Sequence, residues 1–132
     1  MAGGAGNVEP VPPDPAPVPS DCLFCGIVAG TTPADVVGRS EHGVAFRDIN
    51  PQAPVHVLVV PVRHIDHAAA VTASDGGVLA DLFVLARQVA EAEGVADSGF
   101  RLVANVGEDA ANSVPHLHLH VIGGRRLGWP PG

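Results

Sequence analysis

Apolar and polar residues alternate with several different rhythms along the chain, and each rhythm predicts an element. Cys22 to Ala29 is a short, mostly apolar stretch long enough for two helical turns, with Ser20 or Asp21 placed to cap it and Gly30 to end it. Asp35 to Arg39 and Val44 to Asp48 are strand-like runs on either side of the turn-like Ser40-Glu41-His42-Gly43, so together they predict a hairpin. The run His56 to Val60 is β-branched and bounded by Pro54 and Pro61, which predicts a central strand closed by residues that cannot extend a ladder. The clearest helical pattern extends from about Asp75 to Glu93. There Val78, Leu79, Leu82, Phe83, Leu85, Ala86, Val89 and Ala90 recur at spacings of three and four, with Ser74 as a cap and Gly94 as a stop. Phe100 to Val106 and Val114 to Ile122 predict two further strands, joined by the small, polar loop Gly107 to Ser113. One helix crossing a meander of about five strands is an α+β architecture.

Composition narrows the function classes. The 132 residues carry 14 acidic against 7 basic side chains, a formal charge of -7, which fits one domain with no room for a second core. All the cations are arginines scattered among acids, so no basic stripe awaits a nucleic-acid backbone. Hydrophobic content is 46%, yet no apolar run approaches the ~20 residues of a membrane span. Residues 1 to 20 hold six prolines among Ala, Val and Gly, the composition of a disordered tail or linker ahead of a domain over 21 to 132. That tail has no Lys or Arg and no continuous apolar block, so it is not expected to be a secretory signal. Two cysteines, Cys22 and Cys25, are too few to staple a fold of this size, and the expectation is a reducing, cytosolic setting.

Three of the seven histidines fall in His116-Leu117-His118-Leu119-His120. On a strand the imidazoles share one face, while Leu117, Leu119 and Val121 share the other and point to a core. Same-face Cα atoms lie about 6.6 Å apart, so neighbouring histidines can share one ion but the outer pair, about 13 Å apart, hardly can. The triplet is therefore expected to divide between two jobs. One is phosphate chemistry, in which a neutral imidazole attacks phosphorus and a second holds an oxygen or moves a proton. The loop before it offers small residues whose N–H groups can cradle an anion, with Ser113 as a further donor. The Cys22-x-x-Cys25 pair lacks the preceding strand of a thioredoxin-like motif, which leaves inert buried thiols or half of a zinc site that needs two more ligands. His42 and His67 have no such company and are expected at the surface.

The stretch Ser113-Val114-Pro115-His116-Leu117-His118-Leu119-His120-Val121 resembles the signature of the histidine triad (HIT) superfamily. Phe46 to His56, Val60 to Ile65 and the ending Gly123 to Gly132 with its Trp129-Pro130-Pro131-Gly132 resemble the Hint-like branch, so the likeness spans about residues 21 to 132. It implies a five-stranded antiparallel sheet with one long and one short N-terminal helix, assembled as a homodimer, an assembly to which the broad apolar face of Val78 to Ala90 and the aromatic Trp129 also point. It further implies a hydrolase that cleaves nucleoside phosphoramidates or aminoacyl adenylates through a nucleotidyl-histidine, releasing a purine mononucleotide with no catalytic metal or organic cofactor. The alternatives are a dinucleoside polyphosphate hydrolase and a non-catalytic, zinc-containing nucleotide-binding adaptor.

By the same resemblance His118 is the nucleophile, His120 the neighbouring phosphate-side histidine and His56 the support of the nucleophile from the adjoining strand. Asn105 and Ser113 contact the phosphate and leaving group, and Asp48 the ribose hydroxyls. Leu23, Phe24, Ile27, Phe46, Ile49 and Leu58 line the base slot, although Phe46 and Ile27 would also serve as ordinary core and Asp48 as a turn cap. Likeness to bacterial members with paired cysteines implies a structural zinc on Cys22, Cys25, His64 and His116. Four residues depart from the family pattern: Pro115, Arg47, Ala111 and Asn112.

Overall fold

The computed structural model describes residues 21–132; the proline-rich tail and the cap expected of Ser20 lie outside the described residues. Helix α1 spans Leu23–Ala29, strands β1 to β3 span Val36–Arg39, Gly43–Arg47 and Val55–Pro61, helix α2 spans Gly76–Ala92, and strands β4 and β5 span Phe100–Val103 and Leu119–Gly123. All pairings are antiparallel, in the order β1-β2-β3-β5-β4. This corrects the expected meander: α2 carries the chain over the sheet to its far edge, and β5 returns between β3 and β4.

Alternation on the central strands separates two cores. Val57 and Val59 of β3, with Ala45, Leu119 and Val121, pack under Leu82, Leu85, Ala86 and Val89 of α2. Leu58 and Val60 face the other way and join Val44 and Phe46 against Phe24 and Ile27 of α1. Every residue of β3 is therefore buried, as its unbroken apolar run requires. Gly43 lets α2 approach closely: a Cβ there would sit 2.9 Å from Leu82 Cδ2.

The helix ends differ from expectation in instructive ways. Asp21 does not cap α1; Cys22 does, its thiol accepting the Cys25 N–H at 3.3 Å, because the residue is already turned inward by its own burial. Ser74 does not cap α2 but lies within a 3-10 turn, Ala73–Asp75, that leads into the helix. There the buried Asp75 carboxylate accepts the Thr72 N–H at 2.9 Å and pairs with Arg63. Gly30 and Gly94 close the two helices with φ of 81° and 79°, as their positions suggested.

Both late strands are shorter than their apolar patterns. The last pair of the β4–β5 ladder is Val103 with His120, so 104–106 have no partner strand and leave the sheet. The β5 ladder starts at Leu119, not Val114, and Pro115 therefore sits where no ladder donor is needed. Side-chain alternation nonetheless continues upstream, since Leu117 belongs to the α2 core and Leu117 N–H bonds the Ile65 carbonyl at 2.6 Å.

Candidate functional site

The histidines of the 116–120 segment point away from α2 and toward α1, where they fall into two clusters. In the first, Cys22, Cys25, His64 and His116 bring one ligand atom each within 4.8 Å of one another. Cys25 Sγ lies 3.2 Å from His64 Nδ1 and 3.4 Å from His116 Nδ1, Cys22 Sγ lies 3.3 Å from His116 Nδ1, and the two Nδ1 atoms are 3.2 Å apart. A tetrahedron with zinc-like bond lengths has edges of about 3.3–3.8 Å, so the spacing suits a small tetrahedral ion.

The protons agree with that reading. His116 Nε2 donates to the Pro61 carbonyl at 3.0 Å, and His64 Nε2 to the Asp66 carboxylate at 2.8 Å. Each imidazole thus spends its proton outward and turns a bare Nδ1 inward, the arrangement that second-shell acceptors impose on metal-ligating histidines. Two lone pairs facing each other at this range repel unless a cation lies between them. Without one, burial, then the hydrogen bond and charge of Cys22, push the Cys25 thiol up to about 11. The donor set therefore fits a metal ion.

The second cluster is built from His56, His118 and His120. His118 Nδ1 donates to the carbonyl of His116 at 2.7 Å, which leaves the lone pair on Nε2. His56 does not reach His118. Its Nδ1 accepts the Gln52 N–H at 3.0 Å, so its proton sits on Nε2, 2.9 Å from His120 Nδ1 and 3.4 Å from the Asp48 carboxylate. The support expected for the nucleophile thus goes to its neighbour instead, because β3 pairs Leu58 with His120 and sets His56 beside it. Burial, followed by His118 and His56, holds His120 down to about 4, and burial likewise lowers His56 against the opposing pull of Asp48. Asp48, His56 and His120 are also close enough to share an ion, but the Gln52 amide makes His56 Nε2 a donor, unsuited to ligate.

A cavity of about 460 Å³ opens beside His118 and His120, a size suited to a small ligand. Leu23, Phe24, Ile27, Phe46, Asp48, Ile49, Leu58 and Ser113 all line it, together with Thr32, Pro33, Ala34, Arg47 and Val114, which sequence reasoning had not placed in the slot. Thr32 to Ala34 directly follow the Gly30 stop, and that adjacency to α1 was the available signal. Asn105 is not among the lining residues, because the chain leaves the ladder after Val103. Phe24 stands edge-on to Phe46 at 5.4 Å, to His118 at 5.1 Å and to His116 at 6.0 Å, so one α1 ring touches both clusters.

The departures also find places. Arg47 lines the cavity, but its guanidinium is engaged by both oxygens of Glu93 at 2.7 and 3.0 Å and by Asp35 at 3.3 Å. Ala111 adopts a left-handed φ of 60°, and the Asn112 Oδ1 is buried without a partner. His67 is half-buried with an unpartnered Nδ1, and so is not the surface residue expected. Among the described residues no helix is long and apolar enough to cross a membrane.

Comparison with known proteins agrees with this geometry. The HIT domain model matches residues 29–127. A HIT-like protein of Synechocystis is 43% identical over 112 residues, covering 85% of this chain and 97% of that one. Among solved structures, a HIT family hydrolase from Legionella pneumophila superposes with a TM-score of 0.83 at 46% identity, over 85% of this chain and all of the other. A histidine triad nucleotide-binding protein from Candida albicans gives 0.71 at 25% identity, over 83% of each chain. With the triad on β5 and the segment before it, the paired cysteines that fit the Hint-like branch, and a match across most of its length, the chain belongs to the HIT family.

Proposed function

We propose that the chain is a nucleotide-binding hydrolase that cleaves nucleoside phosphoramidates and aminoacyl adenylates and releases a purine mononucleotide. The observation that carries this reading is His118, whose Nδ1–H is held by a backbone carbonyl so that a bare Nε2 borders a cavity with apolar walls. The base lies among Leu23, Phe24, Ile27, Phe46, Ile49 and Leu58, and the Asp48 carboxylate accepts the ribose hydroxyls. Ser113 and Asn105 contact the phosphate and the leaving group. His118 Nε2 attacks the α-phosphorus, the bond to the leaving nitrogen or oxygen breaks with its electron pair, and His120 Nε2–H donates a hydrogen bond to the departing atom, which takes its proton from water. Water then attacks phosphorus and gives its proton up to solvent, and the bond to His118 breaks with its electron pair, restoring the lone pair on Nε2.

Cys22, Cys25, His64 and His116 would hold a structural zinc, whose four protein ligands leave no position for substrate. Its role would be to tie α1, and with it the base slot, to the segment carrying His118. A second copy of the chain is proposed to cover the half-exposed Phe83 and Val84 on α2, making a homodimer.

Hydrolysis of an adenosine phosphoramidate and of a dinucleoside tetraphosphate, measured side by side, tests the reading. Mononucleotide release from the phosphoramidate with little from the tetraphosphate supports it. The reverse preference favours the polyphosphate hydrolase, and binding without release favours a non-catalytic adaptor.

A further inference from the structure

Residues 48–56 form a loop tied mainly to itself. Asp48 Oδ1 accepts the Asn50 N–H at 2.8 Å, and the Gln52 side-chain amide donates to the Asn50 carbonyl at 2.9 Å. Among the described residues, one side chain from outside hydrogen-bonds its main chain. Arg125, just beyond β5, donates through Nε and Nη2 to the Gln52 carbonyl at 3.2 and 3.0 Å, while its Nη1 donates to the Arg126 carbonyl at 3.1 Å. The turn that delivers Arg125 is itself close-packed, since a Cβ on Gly124 would lie 3.0 Å from Pro54 Cβ.

Gln52 is also the residue whose N–H fixes the proton of His56. An N–H donated to His56 Nδ1 forces the neutral imidazole to carry its hydrogen on Nε2. That hydrogen points at His120 Nδ1, 2.9 Å away, and forces His120 in turn to carry its own hydrogen on Nε2. If residue 52 drifts, His56 can take the other tautomer, and His120 loses the donor that fixes its own.

We propose that Arg125 is a positioning residue that, by clamping the Gln52 carbonyl, sets the tautomers of His56 and His120 and so keeps His120 Nε2–H as the hydrogen-bond donor to the leaving group. The inference rests on the functional reading above, but its structural half can be read without turnover. The clamp acts through the main chain of residue 52, so the identity of that side chain matters less than the guanidinium three strands away in sequence. Arg125 is exposed and outside both cores, which makes it replaceable without loss of the fold.

The test is nitrogen-15 NMR of the imidazoles in the full chain, beside steady-state kinetics on an adenosine phosphoramidate. Wild type should show His56 and His120 as single Nε2–H tautomers. Arg125→Ala should convert His120 to a mixture and lower kcat at least about tenfold with KM little changed, and Arg125→Lys should restore part of both. Arg126→Ala, which removes the same charge next door, should leave the tautomers as they are. Should Arg125→Ala not fold, Arg125→Gln takes its place. A His120 bearing its proton on Nδ1 in wild type, or unchanged tautomers and kcat in the Arg125 variants, overturns the proposal. If wild type has no turnover but the tautomers shift as stated, the clamp stands and the hydrolase reading falls.

Discussion

Two histidine clusters lie side by side, supplied partly by the same five-residue segment, yet their imidazoles are oriented for opposite tasks. In the cysteine cluster, His64 and His116 give their protons to an external carboxylate and carbonyl and converge through bare Nδ1 atoms on two thiols. Around the cavity, His56 gives its proton to another histidine, and His118 alone keeps a bare nitrogen, Nε2, for the ligand space. The difference lies in the acceptors each ring meets, not in the residue type. Acceptors outside a cluster prepare it for a cation; a donor and acceptor chain within a cluster prepares it for moving protons.

His116 joins the two, and its two halves can be separated by mutation. Its ring belongs to the cysteine cluster, while its carbonyl orients His118. His118→Ala should reduce turnover by about a thousandfold or more, with the proposed zinc and the melting temperature nearly unchanged. His116→Ala keeps the carbonyl but loses the ring, so zinc should be absent on elemental analysis and stability should fall by on the order of 3 kcal/mol, with turnover lowered less than in His118→Ala. Equal loss of turnover in both variants would mean that the clusters are one functional unit. Zinc retained by His116→Ala would place the ion elsewhere.

How much of this was legible in sequence follows from which atoms make each contact. His118 and His120 stand out because side-chain alternation in a His-x-His-x-His run is visible without coordinates. The slot residues on α1 were reached by resemblance, and their spacing on two helical turns agrees with one inward face. The redirected partnership of His56 was not readable, because it depends on the β3–β5 register and on a main-chain N–H. Gln52 and Arg125 left no sequence signal for the same reason: one contributes only backbone groups to the chain of contacts, and the other is one of seven scattered arginines. β4 was read too long because strand length was taken from apolar pattern, whereas the ladder stops where β5 stops offering partners.

Acid distinguishes the clusters more gently. The fold holds His120 at about 4 against an ordinary 6.5, and lowers His56 in the same direction. Between those limits the unfolded chain binds more protons than the native one, so stability is full above 6.5 and is lost as pH falls toward about 4. Asp75, Asp81 and Glu93 are held below the usual carboxylate range, and their contribution fades at the acid end, as pH drops through their own values. Thermal melts at pH 7 and pH 5 should therefore show a drop in wild type and a smaller one in His120→Asn, which has no imidazole to charge. An equal drop in both would assign the acid sensitivity to other groups, the cysteine cluster first among them.

The smallest effect concerns the loop that precedes the histidine segment and carries Ser113 to the cavity. Ala111 holds a φ of 60° and ψ of 32°, with its N–H on the Glu108 carbonyl at 2.9 Å and that of Asn112 on the Gly107 carbonyl at 3.1 Å. A Cβ in this region costs roughly 1–2 kcal/mol, and glycine avoids that cost while gaining entropy in the unfolded chain. Because the two terms oppose, Ala111→Gly should stabilise the protein by about 0.5–1 kcal/mol, measured by urea unfolding. Ser113 stays on the same turn, so the KM for phosphoramidate should hold. A loss of stability would mean that the left-handed turn is not the conformation this loop keeps in solution. A raised KM at unchanged stability would instead show that the stiffness of the alanine turn positions Ser113 at the cavity, extending the contrast between a preset proton chain and a preset metal cage to the loop before the histidine segment.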